Sequence, residues 1–262
     1  MKLSKYIEQL QANGRHTFMK KEAQKALGAT DIAIKYALYR LKTKGEIIDP
    51  VRGFYIIIPP EYSKAGCLPP EQFVDDLMHY LKERYYVGLL NAAQLYGAAH
   101  QNPQVFQVLT NQKRRNIECG SFKISFITKH DIEQTPTQQF KTPRGYYLVS
   151  SPEATAMDLI LYSRHGAGIN NVLTVLVELV EKIDAEKLLQ LASKSKDAAW
   201  IQRLGCLLDF IGEEKLSSKL HEVLSHFRVQ KRYLLPNHLA NKKFKLDKKW
   251  RVLVNAKLEA DL

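Results

Sequence analysis

The chain has 262 residues, 45% of them hydrophobic and 25% charged, enough for one large globular domain or two ordinary ones. No apolar run approaches the ~20 residues of a membrane helix, and the start, MKLSKYIEQLQANG, lacks the apolar stretch of a secretory signal. The net charge of +12 is clustered. Residues 1–60 carry eight Lys and three Arg against five acids, and residues 226–251 carry six Lys and three Arg against Asp247 alone. Two basic ends around a near-neutral middle favour a polyanionic partner, because cations on phosphate release counterions. Cys67, Cys119 and Cys206 are far apart in sequence. They present neither metal-ligand spacing nor a disulfide framework, and a reduced, cytoplasmic compartment is expected.

Leu3, Tyr6, Ile7 and Leu10 fall at i, i+3, i+4, i+7, one apolar face of a first helix that Asn13-Gly14 stops. Thr17 is placed to N-cap a second helix, with Met19, Ala23, Ala26 and Leu27 inside and Gly28 at its end. Thr30 caps a third after a very short turn. Its inner stripe is Ile34, Ala37, Leu38 and Leu41, and Gly45 stops it. The run EIIDPVRGFYIII then reads as strand, turn, strand, with Asp49-Pro50 and Gly53 in the turn. Three short helices and a hairpin are the pattern of a winged helix-turn-helix, whose third helix enters a DNA groove.

The outer face of that helix carries Ile32, Lys35, Tyr36, Tyr39, Arg40 and Thr43. Ile32 suits a thymine methyl; Tyr and Thr hydroxyls and Lys35 suit phosphates or base edges; Arg40 suits a phosphate or guanine. The expected DNA contacts are therefore Thr30, Lys35, Tyr36, Tyr39 and Arg40, with Lys42, Lys44 and Arg52 (at the wing tip) holding phosphates. The bland alternative packs Tyr36 and Tyr39 on a second domain. Side-chain identity does not fix the operator sequence.

IIIPPEYSKAGCLPPEQ is a linker with two stiff points, and it places the boundary between a domain at 1–62 and another at 63–262. A helix is expected at about 71–84, with Phe73, Leu77, Tyr80 and Leu81 on one face. YYVGLLNAAQLYGAAHQ follows, and reads as a buried helix-to-strand corner. Gly88 starts its helix, Gly97 ends it, and His100 and Gln101 hydrogen-bond the turn. Strands are expected at Gln104–Thr110, Ser121–Thr128 and Gly145–Ser150. NQKRRNIECG, between the first two, reads as a solvated basic hairpin loop.

In SSPEATAMDLILY, Ser150 and Glu153 suit a capping box, with Pro152 in the first turn. Further helical stripes follow, one of them N-capped by Asp184. Asp158, Glu178 and Asp209 read as solvated or capping residues. KKWRVLVN reads as a last strand returning to the sheet. A second basic surface is expected at Arg228, Lys231, Arg232, Lys242, Lys243 and Lys245. The fold class is α+β: an N-terminal winged helix-turn-helix, then a larger α/β domain with a small sheet and a helical C-terminal half.

Walker loops, GxGxxG, HExxH, GxSxG and a kinase HRD loop are all missing. None of the eight histidines pairs with a carboxylate or Cys at metal spacing, and Asp131-Ile132-Glu133 has no following ExK. No catalytic residue, cofactor or metal is expected. An enzyme acting on nucleic acid, with the winged helix as its targeting module, is the alternative.

The stretches RLKTKGEIIDPVRGFYIIIPPEY, YYVGLLNAAQLYGAAHQNPQVFQV, VSSPEATAMDLILY and RLGCLLDFIG, in that order over about three-quarters of the chain, resemble the AbiEi-type antitoxins of type IV toxin–antitoxin (abortive-infection) systems. The resemblance implies a transcriptional regulator. Its winged helix binds repeats in the promoter of its own operon and represses it. Its C-terminal domain opposes a nucleotidyltransferase-type toxin without needing a stable complex. It leaves open the oligomeric state, the mechanism of neutralisation, the role of the basic C-terminal stretch and whether a toxin gene lies adjacent. Without one, the chain is a stand-alone regulator.

Overall fold

The computed structural model describes residues 2–99, 103–236 and 244–259 and is mixed α+β. The chain divides into two units. The first comprises Met1–Val87, Pro103–Gln134 and Gln138–Val149; the second comprises Gly88–Asn102, Thr135–Thr137 and Ser150–Leu262.

The first unit opens with α1 (Leu3–Ala12), β1 (Thr17–Met19), α2 (Lys20–Leu27), α3 (Asp31–Thr43), β2 (Ile47–Val51) and β3 (Phe54–Ile57). The strands form a three-stranded antiparallel sheet in the order β1-β3-β2. Leu3, Tyr6, Ile7 and Leu10 of α1 meet Ile34, Leu38 and Leu41 of α3 in a core closed by Phe18, Ala23, Ile47, Tyr55 and Ile57. Thr17 does not cap α2. It starts β1, pairing with Ile56, and its hydroxyl donates to Asp76 at 2.5 Å. The helix begins three residues later, so Met19 and Ala26 are exposed instead of facing inward.

After the linker, a short 3-10 turn (Pro70–Gln72) leads into α4 (Val74–Leu81). A six-stranded sheet follows, built from β4 (Tyr85–Val87), β5 (Phe106–Thr110), β6 (Ile117–Cys119), β7 (Phe122–Thr128), β8 (Thr137–Thr142) and β9 (Gly145–Ser150). Its order is β6-β7-β5-β4-β9-β8, with β5 parallel to β7 and β4 parallel to β9. The expected loop NQKRRNIECG contains β6, which forms an antiparallel hairpin with β7. Within that loop Arg114 is bound, not solvated, gripping Glu83 through two hydrogen bonds of 2.7 and 2.6 Å.

Cys67 and Cys119 form a disulfide, with Cα atoms 5.7 Å apart, against the expectation from their spacing. The β6–β7 turn lies against the linker. The Ser121 amide donates to Ala65 O at 2.8 Å, and a Cβ on Gly120 would sit 2.1 Å from that oxygen. Only a glycine lets the two segments approach this closely. The cysteine spacing therefore says nothing about the redox compartment.

The second unit is mostly helical: α5 (Leu89–Leu95), α6 (Pro152–Leu161), α7 (Ile169–Leu179), α8 (Ala185–Ser193), α9 (Ala199–Phe210) and α10 (Glu214–Leu224). Gly88 precedes α5 as expected, and Gly97 follows it at φ 78°. Its Leu89, Ala92 and Ala93 are buried, while His100 and Gln101 lie outside the described residues.

The cap of α6 is Ser151, not Ser150; its Oγ accepts from the Ala154 amide at 3.3 Å. Glu153 turns inward instead of completing a capping box, accepting from the Ser151 hydroxyl and the Asp184 amide. Asp184 caps α8 by accepting from the amides of Glu186 and Lys187, both at 2.9 Å. Asp158, expected at a solvated or capping position, is fully buried. The last strand does not return to the larger sheet. Instead β10 (Arg232–Tyr233), β11 (Lys245–Asp247) and β12 (Val252–Val254) form their own sheet, in the order β10-β12-β11.

Candidate nucleic-acid interface

Helix α3 is built to hold one face in and present the other. The Thr30 hydroxyl accepts from the Ala33 amide at 3.3 Å and caps the helix. Asp31 in the first turn, and Arg40 and Lys42 in the last, complement the helix dipole. With Ile34, Leu38 and Leu41 buried, Ile32, Tyr36 and Tyr39 point outward, each 68% exposed. Lys35, Arg40 and Thr43 are exposed as well. These expected contacts thus share a surface, with Thr30 at its N-terminal edge already committed to its cap.

The cations divide into two sets. Lys35 pairs with Asp31 at 2.9 Å, Lys20 takes the other oxygen of Asp31 at 2.5 Å, Lys42 pairs with Asp49, and Lys44 lies 3.9 Å from Glu46. The hydrogen bond from Lys20, then that from Lys35, holds the Asp31 carboxyl down to about 2. Arg40 and Arg52 form no ion pair among the described residues. Exposed pairs of this kind contribute little to the stability of the fold, so their cations remain available to a stronger polyanion. Lys20 was not among the expected residues. Asp31–Lys35 is legible as an i, i+4 pair, but the approach of Lys20 requires the folded unit.

Arg52 sits at the tip of the β2–β3 hairpin, braced from α4. The Tyr80 hydroxyl donates to Arg52 O at 2.9 Å, and the Tyr80 and Phe54 rings lie 5.5 Å apart. Gly53 adopts φ 90°, and a Cβ there would lie 2.7 Å from the Tyr80 oxygen. The backbone at the tip is fixed while the Arg52 side chain stays exposed.

Arg228, Lys231, Arg232 and Lys245 are exposed in the second unit; Lys242 and Lys243 lie outside the described residues. Arg232 pairs with Val252 and Lys245 with Val254, on opposite sides of the central β12. They therefore occupy the two edge strands, not one row.

This small sheet is seated on α9. The Gln202 side-chain amide donates to Gln230 O and Trp250 O, both at 2.8 Å, and Arg203 Nε donates to Tyr233 O at 2.9 Å. Trp250 is fully buried against Gly205, and its Nε1 donates to Asp209 at 2.6 Å. Asp209 also binds Lys249 at 2.7 Å, so it anchors the segment rather than facing water.

A cleft of about 460 Å³ nearby is lined by Cys206, Asp209, Phe210, Lys245 and Asp247. Its carboxylates are already engaged, Asp209 as above and Asp247 by the Trp250 amide at 2.9 Å. Burial, then Asp247 and Asp209, pushes the Cys206 thiol up to about 12, far from a thiolate nucleophile at neutral pH.

His79 lies 3.3 Å from Asp75, one turn earlier, a pairing the sequence reading did not include. Glu133 of the Asp131/Glu133 pair binds Arg84 at 3.0 Å. Among the described residues, no three His, Cys, Asp or Glu side chains converge as a metal site, and no helix is long and apolar enough to cross a membrane.

No curated protein matches the chain. A crystal structure of the RV2827C protein from Mycobacterium tuberculosis is similar in fold, with a TM-score of 0.68 and 15% identity over 95% of this chain and 90% of that one. The family model of the AbiEi antitoxin C-terminal domain matches residues 86–210. That segment spans β4 through α9, including the helix on which Trp250 is seated. The match over residues 86–210 supports an AbiEi-type antitoxin family for this chain.

Proposed function

We propose that the chain is a DNA-binding autorepressor as well as an antitoxin, a cytoplasmic, non-enzymatic regulator. Residues 1–62 are the winged helix-turn-helix, with α3 as the groove reader and the β2–β3 hairpin as the wing. Residues 63–262 oppose a nucleotidyltransferase-type toxin without requiring a stable complex. The observation that carries this reading is the outward face of α3. Three large side chains, each 68% exposed, stand beside Lys35 and Arg40 on a segment of net charge +6. A duplex uses such a face, through base edges for the apolar groups and phosphates for the cations. Four of the five acids in residues 1–60 (Glu22, Asp31, Glu46 and Asp49) are occupied by cations of the same segment, which lowers their repulsion of an incoming phosphate.

The test is binding of the full chain to the DNA upstream of its own gene, with Lys35→Ala/Arg40→Ala as the comparison. The double variant should bind more weakly and show a shallower salt dependence, by up to about two in log–log slope. Equal binding across salt concentrations would remove the assignment of α3.

A further inference from the structure

We infer that α3 reads its operator chiefly through thymine methyl groups in the major groove, principally by Ile32 and Tyr36. This rests on the reading of residues 1–62 as a DNA-binding domain and adds the base chemistry it recognises. Ile32, Tyr36 and Tyr39 recur at i, i+4 and i+7, an exposed stripe along about 10 Å of helix axis.

The base edges each demand a different side chain. Guanine calls for Arg or Lys, adenine for Asn or Gln, cytosine for Asp or Glu, and thymine offers a methyl group to an apolar side chain. In α3 there is no Asn, Gln or Glu. Its one acid, Asp31, is held by Lys20 and Lys35, and in return Lys35 is drawn to Asp31. Arg40 is in the last turn, whereas the N-terminal residues of a recognition helix meet the base edges. The N-terminal half therefore offers Ile32 and Tyr36, and the edge that suits an apolar group is the thymine methyl. The net +6 of residues 1–60 commits this stripe to a polyanion, not to an apolar protein surface.

The experiment amplifies the upstream fragment once with thymidine and once with deoxyuridine triphosphate. Uracil keeps every hydrogen-bonding group and lacks only the methyl. Binding of the full chain is read by fluorescence anisotropy at one salt concentration. Each methyl buried on binding contributes about fourfold, so the uracil fragment should bind more than tenfold more weakly if two or more are contacted. Ile32→Ala and Tyr36→Ala, both at exposed positions, should each narrow the gap between the fragments. Equal wild-type binding to the two fragments overturns the inference and leaves the DNA-binding reading intact. A gap that persists undiminished in both variants places methyl recognition elsewhere and overturns the assignment to α3. Failure to bind either fragment at low salt overturns the DNA-binding reading itself.

Discussion

Substituting Gly205 by Ala puts a Cβ 2.2 Å from two ring atoms of Trp250 and 2.5 Å from a third. Carbon atoms pack at about 3.5–4.0 Å, so the ring or α9 must shift by more than 1 Å. Trp250 has nowhere to go: it is fully buried, and its Nε1 is bonded to Asp209 at 2.6 Å. Overpacking of this kind costs up to ~3 kcal/mol, and replacing a helical Gly by Ala returns ~1 kcal/mol. The balance is about 2 kcal/mol, or a fall of roughly 4–8 °C in melting temperature for a chain of this size. Thermal unfolding followed by circular dichroism measures it, and tryptophan emission shows whether the ring has moved toward water. In a Trp250→Ala background the clash is gone, and Gly205→Ala should be neutral or slightly stabilising. If Gly205→Ala melts with the wild type, or is equally harmful without Trp250, α9 is not the seat of the C-terminal sheet.

Replacing Asp31 by Asn removes the acid that holds Lys20 and Lys35, so DNA affinity should rise, and the freed Lys20 should steepen the salt slope by up to about one; an unchanged or lower affinity contradicts this. A lowered carboxylate contributes to stability above its unfolded value of about 3.9 and is lost only as pH falls through its folded one. With Asp31 held at about 2 by Lys20 and Lys35, its contribution is lost only in strong acid, and the ratio of DNA affinities between wild type and Asp31→Asn should stay constant between about pH 5 and 8. Removing the Cys67–Cys119 bond, which closes 52 residues of sequence, should cost about 4 kcal/mol by chain entropy. The check is a melt of Cys67→Ser/Cys119→Ser, with thiol titration of the denatured wild type giving one free thiol before reduction and three after. Gly53→Ala forces a side chain into φ 90° against the Tyr80 hydroxyl; a loss of about 1–3 kcal/mol and weaker DNA binding through Arg52 are expected, and an unaltered melt would show that the hairpin tip is not braced as described.

Regular periodicity made part of this architecture legible. The i, i+3, i+4, i+7 stripes of α1 and α3 pointed directly to their buried faces, and Gly88 and Gly97 bracketed α5. Shorter or more polar elements did not declare themselves. Thr17 is as good a cap as a strand residue, and only pairing with β3 decides between them. In β8 the sequence TQQFKT is mostly exposed, with only Phe140 and Thr142 half-buried, and shows no apolar alternation. The disulfide, the Lys20–Asp31 pair and the bracing of Arg52 by Tyr80 join residues 52, 11 and 28 positions apart, which no local pattern predicts. Gly205 looks like a weak point in a helix until Trp250, 45 residues later, is laid across it. At the candidate interface, exposure of Ile32, Tyr36 and Tyr39 followed from the buried stripe opposite, but the ion pairs that hold Lys35, Lys42 and Lys44 did not.

The most direct test of DNA recognition compares the full chain on its own upstream fragment with a scrambled fragment of equal length, as salt rises from about 50 to 200 mM. Affinity for both should fall linearly on log–log axes. The native fragment should stay tighter by a factor on the order of 10³ or more throughout, as specific recognition requires. Equal affinity for the two fragments, or no binding at the lowest salt, would contradict the assignment of residues 1–62 as an operator-binding domain.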